Sequence, residues 1–267
     1  MAAPTRRRHR WRKRLGTLAR FVGALALVGG VYTAFAPGIY ADESTESLTQ
    51  LAEEGKDLFD TSCITCHGPN AQGVEGRGPS LIGIGSAAVE FQVNSGRMPM
   101  ARQDAQAVRK DPVFTPAQAE AIAAYIQQLG GGPESPDQAD LDEMIANADL
   151  ADGGALFRVN CSSCHGFGAG GGALSSGKFA PSLANVSTMD IYQAMLTGPQ
   201  NMPVFGDAQL TPDEKAAVIA YIEYVNTDQD PGGWGLGRFG PSTEALAIFL
   251  VGIASLAVAT LWIAGKS

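Results

Sequence analysis

The sequence is poor in the residues that a β-sheet protein or a histidine-rich metal protein needs. Only three of its 267 residues are histidine and four are cysteine, and alternating runs of valine, isoleucine and threonine are scarce. The lack of alternation argues against a sheet, whereas abundant alanine and 33 glycines indicate helices joined by long glycine-rich loops. We therefore expect a mainly α-helical chain, whose length allows one large or two medium domains.

Acidic residues are absent from the beginning of the chain. None precedes Asp42, whereas residues 1–20 form a basic tip. The basic residues of the tip are Arg6, Arg7, Arg8, Arg10, Arg12, Lys13, Arg14 and Arg20. Of the 19 basic residues, removing these eight and Lys266 leaves ten against 27 acidic ones, so the region between the two ends carries about −17. Such a surface favours a basic protein partner over nucleic acid.

Two uncharged apolar runs flank this acidic region. Residues 21–40 are about as long as a helix that crosses the hydrocarbon core of a membrane, and the basic tip favours a cytoplasmic N-terminus. A second run begins at Ala245, and we place its transmembrane helix at residues 244–264. A buried core helix is the alternative there, but the terminal position and the flanking Lys266 favour a span. Two spans predict a two-pass cell-membrane protein with residues 41–242 outside the cytoplasm.

A cleaved signal peptide is the alternative for the first run. Residues 34–36 read Ala-Phe-Ala, the small-x-small form of a cleavage site. Pro37 would directly follow the cut, where cleavage is disfavoured, so we favour an uncleaved anchor. The paired arginines lack the rest of a twin-arginine signal, which indicates export by the general secretory route.

The acidic region contains a tandem repeat. Five landmarks recur in the same order: a glycine before Leu-Phe, a Cys-x-x-Cys-His motif, Pro-Ser-Leu, Met-Pro, and Thr-Pro before an alanine-rich helix. They begin at Gly55, Cys63, Pro79, Met98 and Thr115 in the first copy, and at Gly154, Cys161, Pro181, Met202 and Thr211 in the second. We place domains at residues 41–130 and 148–228, a linker at 131–147 and a juxtamembrane segment at 229–243.

The last helix of each copy can be predicted in detail. Thr115 and Thr211 are suited to cap a helix, and proline follows each at the first helical position, where its missing N–H costs nothing. Ile122 and Ile126 then fall on one helical face, as do Ile219 and its apolar neighbours in the second copy. Two or three short helices bury little core by themselves, so we expect a large flat group in the middle.

The two Cys-x-x-Cys-His motifs identify that group. Thiols three residues apart on one helical turn can bond both vinyl groups of a porphyrin, and the next residue can offer its imidazole to the iron. A tetrahedral zinc site would need ligands from both motifs, and disulfides would not explain the histidines. A thioredoxin-like dithiol lacks its βαβ setting. We predict two covalently bound haem c groups, held by Cys63, Cys66 and His67 and by Cys161, Cys164 and His165.

The remaining iron ligand follows from the inventory of histidines. The third one, His9, lies in the basic tip, so methionine is the natural distal ligand, and His/Met ligation raises the reduction potential. Met202 precedes proline in the second copy. Met98 occupies the same position in the first, where Met100 competes with it. Met144, Met189 and Met195 are interpreted as packing residues. Pro79 and Pro181 can supply the carbonyl that orients each imidazole, or can form only a rigid turn.

Each copy, from Cys-x-x-Cys-His through Met-Pro to the closing Tyr-Ile helix, resembles a class I cytochrome c domain. Two such domains between an arginine-rich anchor and a C-terminal span resemble the dihaem cytochrome cc subunit of the actinobacterial cytochrome bc complex. The stretch GGWGLGRFGPSTEALAIFLVG at residues 232–252 strengthens that resemblance. It implies a fold of two tandem class I cytochrome c domains flanked by transmembrane helices, and ligation of the irons by His67 with Met98 and by His165 with Met202.

The resemblance also implies a function. The chain would be an electron-carrying subunit of a menaquinol-oxidising reductase, with a cytochrome b and a Rieske iron–sulfur protein as companions. Electrons would enter at the N-terminal haem, leave from the C-terminal haem, and reach an aa3-type cytochrome c oxidase. No side chain would act as a catalytic acid, base or nucleophile.

Two other functions are considered. A dihaem cytochrome c peroxidase needs an open distal position at one iron, whereas both Met-Pro loops predict closed sites. A dihaem subunit of a cbb3-type oxidase also has tandem c domains, but it typically has only the N-terminal anchor.

Overall fold

The computed structural model describes residues 5–35, 43–227 and 241–266, and these are mainly helical, as predicted. The helices are α1 (Thr5–Phe35), α2 (Glu43–Ser62), α3 (Ile64–His67), α4 (Ser86–Asn94), α5 (Pro116–Gln128), α6 (Gln138–Ala146), α7 (Leu150–Asn160), α8 (Ser162–His165), α9 (Thr188–Thr197), α10 (Pro212–Asn226) and α11 (Pro241–Ala264). A 3₁₀ turn at Ser175–Gly177 separates two short antiparallel strands, β1 (Gly172–Ala173) and β2 (Phe179–Ala180).

The chain divides into an N-terminal unit, Met1–Ser47, and a larger unit, Leu48–Ser267. In the first unit, Gly16–Val31 is the apolar part of α1 within the described residues. In the larger unit, Ser242–Ala264 of α11 is long and apolar enough to cross a membrane, and none of it is buried. Residues 229–240 of the predicted juxtamembrane segment lie outside the described residues.

The two copies of the repeat build equivalent cores inside the larger unit. In the first, Phe59 of α2 is fully buried and its ring lies 5.4 Å from that of Tyr125 on α5. In the second, Phe157 of α7 is fully buried and its ring lies 5.4 Å from that of Tyr221 on α10. The same aromatic pair therefore joins the opening and closing helices in both halves, as a duplication requires.

Both closing helices begin as the sequence predicted. The Thr115 hydroxyl accepts a hydrogen bond from the Gln118 N–H, and the Gln118 side chain accepts one from the Thr115 N–H. Thr211 and Glu214 form the same reciprocal pair at α10. These capping boxes satisfy N–H groups that a helix N-terminus otherwise leaves unpaired, and they set where each apolar face begins.

Glycine allows the opening and closing helices to cross closely. A Cβ atom on Gly55 would lie 1.8 Å from the Ala121 carbonyl oxygen, and one on Gly153 would lie 2.0 Å from the Ala217 carbonyl oxygen. The structural equivalent of Gly55 is thus Gly153, eight residues before the first cysteine of its motif, rather than Gly154, which the sequence comparison selected. Gly154 contacts the Tyr221 ring instead.

The predicted linker contains a helix. Within residues 131–147, α6 packs against α10, and Leu141 is fully buried in the second core. Met144 packs against the same core, in agreement with its interpretation as a packing residue. The two halves also meet directly, because α4 of the first packs against α9 of the second.

We expect Gly153→Ala to destabilise the protein, although alanine is the better helix former by about 1 kcal/mol. The added methyl group would meet a backbone oxygen, which cannot move aside as a side chain can. Overpacking of this kind costs about 1–3 kcal/mol. The measurement is the free energy of unfolding of the detergent-solubilised full chain in urea. Gly170→Ala, with no atom within 4 Å of its new Cβ, is the control, and equal stability of both variants would contradict the prediction.

Candidate functional site

Each Cys-x-x-Cys-His motif forms one helical turn at the end of an opening helix. The His67 N–H donates to the Cys63 carbonyl at 2.9 Å, and the His165 N–H donates to the Cys161 carbonyl at 2.9 Å. The turn ends at a glycine in each copy, because Gly68 and Gly166 have positive φ angles of 77° and 72°. This geometry places two thiols and an imidazole on one short turn, and all four cysteines are free of disulfides.

The first thiol of the second motif is buried, and that of the first motif is half-buried. Burial, and then the neighbouring second thiol, raises the pKa of Cys63 and of Cys161 to about 11. Both groups are therefore neutral thiols near pH 7. Within the described ranges, no group of three or more His, Cys, Asp and Glu side chains could hold a metal ion by itself. Two thiols and an imidazole on one turn suit covalent attachment of a group that brings its own iron.

Both imidazoles are oriented by a proline carbonyl. The His67 Nδ1 lies 2.8 Å from the Pro79 oxygen, and the His165 Nδ1 lies 2.9 Å from the Pro181 oxygen. Because a carbonyl can only accept, Nδ1 carries the proton and the Nε2 lone pair is free for iron. Of the two roles considered for these prolines, the carbonyl acceptor is confirmed. Burial lowers the pKa of His165, which keeps its imidazole in the neutral form that ligates a metal.

A largely apolar cavity lies beside the second motif. Cys161, Cys164 and His165 line it, and Met202 and Met195 line it too. Its other apolar walls include Phe91, Leu174, Phe179, Leu183, Ile191, Phe205, Val218 and Ile222. A cavity that combines two thiols, a free imidazole lone pair and aromatic and aliphatic walls fits a porphyrin. Met202 lies in the loop after α9, whereas Met195 lies within α9 and is only 2% exposed, so Met202 as distal ligand stays a prediction.

In the first copy, packing against the core separates the two methionine candidates. Met98 is partly buried and packs against the first core, and its N–H donates to the Gln92 carbonyl at 2.9 Å. Met100 lines a shallow groove formed mainly by residues 72–80. A distal ligand has to face the buried centre of the domain, so the packing favours Met98, although the ligand itself stays a prediction.

Sequence reasoning missed four residues of the first half that line the cavity beside the second motif. They are Phe91, Arg97, Gln106 and Arg109. They are distant in sequence from the second motif and follow no periodic pattern that points there. Only the packing of the two halves brings them to the cavity.

Two family models match the chain. The model described as "Cytochrome c" matches residues 52–130, and the model described as "Cytochrome C oxidase, cbb3-type, subunit III" matches residues 148–222. Each matched region contains one Cys-x-x-Cys-His motif. The chain therefore has two cytochrome c domains and binds two haem c groups covalently.

Several known proteins are similar to this chain over nearly its full length. The cytochrome bc1 complex cytochrome c subunit of Corynebacterium diphtheriae is 50% identical over 264 residues, which cover 94% of each protein. The subunit of the same description from Mycobacterium tuberculosis is 48% identical over 265 residues, 98% of this chain and 95% of that protein. The cbb3-type cytochrome c oxidase subunit FixP of a Bradyrhizobium strain is 30% identical over 140 residues, 49% of this chain and 44% of that protein.

We expect the double variant Cys161→Ser/Cys164→Ser to lose one covalent haem while the other remains. Thioether attachment requires thiols, and serine hydroxyls do not add to vinyl groups under the same conditions. Intact-mass spectrometry of the full chain should show the loss of one haem mass, and the α band after dithionite reduction should fall to about half. Cys63→Ser/Cys66→Ser is the matched variant for the first copy. Retention of two covalent haems in either variant would refute the assignment.

Proposed function

The chain belongs to the family of cytochrome bc1 complex cytochrome c subunits, and from that membership we propose that it is the dihaem electron carrier of a respiratory quinol–cytochrome c reductase. The observation that carries the proposal is 50% identity over 94% of the chain. A match that covers 94% of the chain includes both Cys-x-x-Cys-His motifs, which lie between residues 63 and 165.

Each domain would hold its cofactor with the same set of groups. Two cysteines form thioethers, at Cys63 and Cys66 in the first domain and at Cys161 and Cys164 in the second. The ligand pairs are His67 with Met98 and His165 with Met202. When bound, the two irons supply reversible one-electron transfer at a potential raised by methionine ligation. The chain has no catalytic acid, base or nucleophile in this proposal, because proton and quinone chemistry belong to other subunits.

The proposed partners follow from that role. A cytochrome b subunit and a Rieske iron–sulfur subunit would share the complex, with the Rieske protein as electron donor. An aa3-type cytochrome c oxidase would be the acceptor, in contact with the same assembly. The excess of acidic residues between the two apolar ends supports docking against basic surfaces, since complementary charge directs association between proteins.

The proposed topology is two-pass, with the domains outside the cytoplasm. The length and apolar composition of Ser242–Ala264 support the C-terminal span. The basic tip supports a cytoplasmic N-terminus, and the N-terminal span at residues 21–40 overlaps the end of α1.

A second candidate is a dihaem subunit of a cbb3-type oxidase. It is favoured by the family model that matches residues 148–222. The similarity to the named cbb3-type subunit covers only about half of this chain, which makes this function the weaker of the two.

We expect the full chain, purified through an affinity tag in a mild detergent, to retain a cytochrome b and a Rieske protein. Subunits of one complex remain together when the detergent preserves apolar contacts. The measurement is mass spectrometry of the purified assembly together with its reduced spectrum, and an untagged strain is the control. Recovery of a copper-containing cbb3-type core without a Rieske protein would instead support the second candidate.

We expect Met202→Ala and Met98→Ala each to convert one haem from low spin to high spin. Loss of a thioether ligand should also lower the potential of that haem by on the order of 0.1 V, because axial ligands set haem potentials. Met100→Ala and Met195→Ala are the matched controls, because each removes another methionine thioether from the same half of the protein. Spectra by electron paramagnetic resonance and a redox titration measure the two effects. A larger effect in either control than in its partner would reassign the ligand.

A further inference from the structure

Residues 106–107 of the first half form hydrogen bonds with two segments that line the cavity in the second half. The Gln106 side chain donates to the Phe179 carbonyl at 2.7 Å and accepts from the Phe179 N–H at 2.9 Å. The next residue, Ala107, forms a similar pair with the Gln200 side chain at 3.0 and 3.3 Å. Four hydrogen bonds therefore join residues 106–107 to the second half.

These two segments lie next to the groups that position or supply the proposed iron ligands. Phe179 lies two residues before Pro181, whose carbonyl orients His165. Gln200 lies two residues before Met202. The first half is therefore positioned to act on both the proximal and the distal side of the second haem.

More positive than negative side chains line this largely apolar cavity. Three cationic side chains line it, Arg97, Arg109 and Lys178, and the carboxylate among its lining residues is Asp190. The excess corresponds to two positive charges. Arg97 and Lys178 are half-buried there, whereas the Arg109 side chain is 49% exposed, and a half-buried cation is costly to desolvate unless an anion neutralises it.

Neither arginine is fully satisfied by the protein. Arg97 is half-buried, and its guanidinium stacks on the Phe91 ring at 4.7 Å. The Arg109 Nη2 lies 3.9 Å from the Asp190 Oδ2, which is an ion pair without a hydrogen bond. Among the described residues, neither guanidinium forms a hydrogen bond with a protein acceptor. Both groups therefore retain donors suited to a carboxylate.

We propose that Arg97 and Arg109 of the first half pair with the two propionate carboxylates of the second haem, so that this haem site is built from both domains. A haem carries two carboxylates, which match the excess of two positive charges. Guanidinium binds a carboxylate with a two-donor fork, which suits arginine better than lysine for this task. The inference rests on the proposed dihaem function.

The proposal predicts an effect of charge on one haem alone. Positive charge beside the second haem stabilises its reduced form, which carries one positive charge fewer. Arg109→Gln should therefore raise the ratio of oxidised to reduced second haem about three- to tenfold at a fixed ambient potential. The first haem should not change. Arg109→Lys should restore most of the wild-type ratio because it keeps the charge.

Two further variants separate charge from loosened packing. Asp190→Asn removes a negative charge from the same cavity and should shift the ratio in the opposite direction. Arg102→Gln is the matched control, because Arg102 lies on the same loop, is exposed, and pairs with Asp104 away from the cavity. Loosened packing would instead move Arg109→Gln and Asp190→Asn in the same direction.

The experiment is a redox titration of the purified full chain, monitored at the α band. The variant Cys161→Ser/Cys164→Ser, which keeps only the first haem, identifies which component belongs to which site. The proposal is overturned if Arg109→Gln shifts the second haem no more than Arg102→Gln does, or if Asp190→Asn shifts it in the same direction. Covalent haem counts by mass spectrometry test the dihaem function separately, so the failure of one is distinguishable from the failure of the other.

Discussion

The direction of one lone pair on each imidazole is the requirement around which each half of the larger unit is arranged. The Cys-x-x-Cys-His turn places the ring, and the hydrogen bond to Pro79 or Pro181 keeps the proton on Nδ1. A ring that turned away or exchanged its tautomer would present N–H instead of a lone pair to the iron. Two local constraints, a helical turn and a single carbonyl, therefore determine whether the site can ligate iron.

The packing of the opening helix against the closing helix in each half supports the position of the imidazole. Gly55 and Gly153 let the opening helices approach the closing helices to backbone contact. The aromatic pair in each half then fills the space beside that crossing. Because the first thiol of each motif directly follows the opening helix, the position of that helix sets the position of the covalent attachment.

A partly buried polar network joins the two halves near the cavity. The Gln193 side chain on α9 donates to the Glu90 carboxyl group at 2.7 Å and to the Ser135 hydroxyl at 2.9 Å. The Ser135 hydroxyl donates to Glu90 in turn at 3.2 Å, and burial raises the pKa of Glu90. Such a network is costly unless its members meet in one arrangement, so it specifies one relative placement of the domains, which a fixed path for electrons requires.

The sequence by itself determined the features that depend on short spacings: two haem attachment motifs, the duplication, and the capped closing helices at Thr115 and Thr211. Their physics is local, since one helical turn and one capping box involve only neighbouring residues. Tertiary packing decided the rest, including the role of Gly153, the contact of Met98 rather than Met100 with the first core, and the approach of Arg109 to the cavity beside the second motif. Those outcomes depend on contacts between segments that are far apart in the sequence. Local periodicity cannot predict which residues of two such segments come into contact.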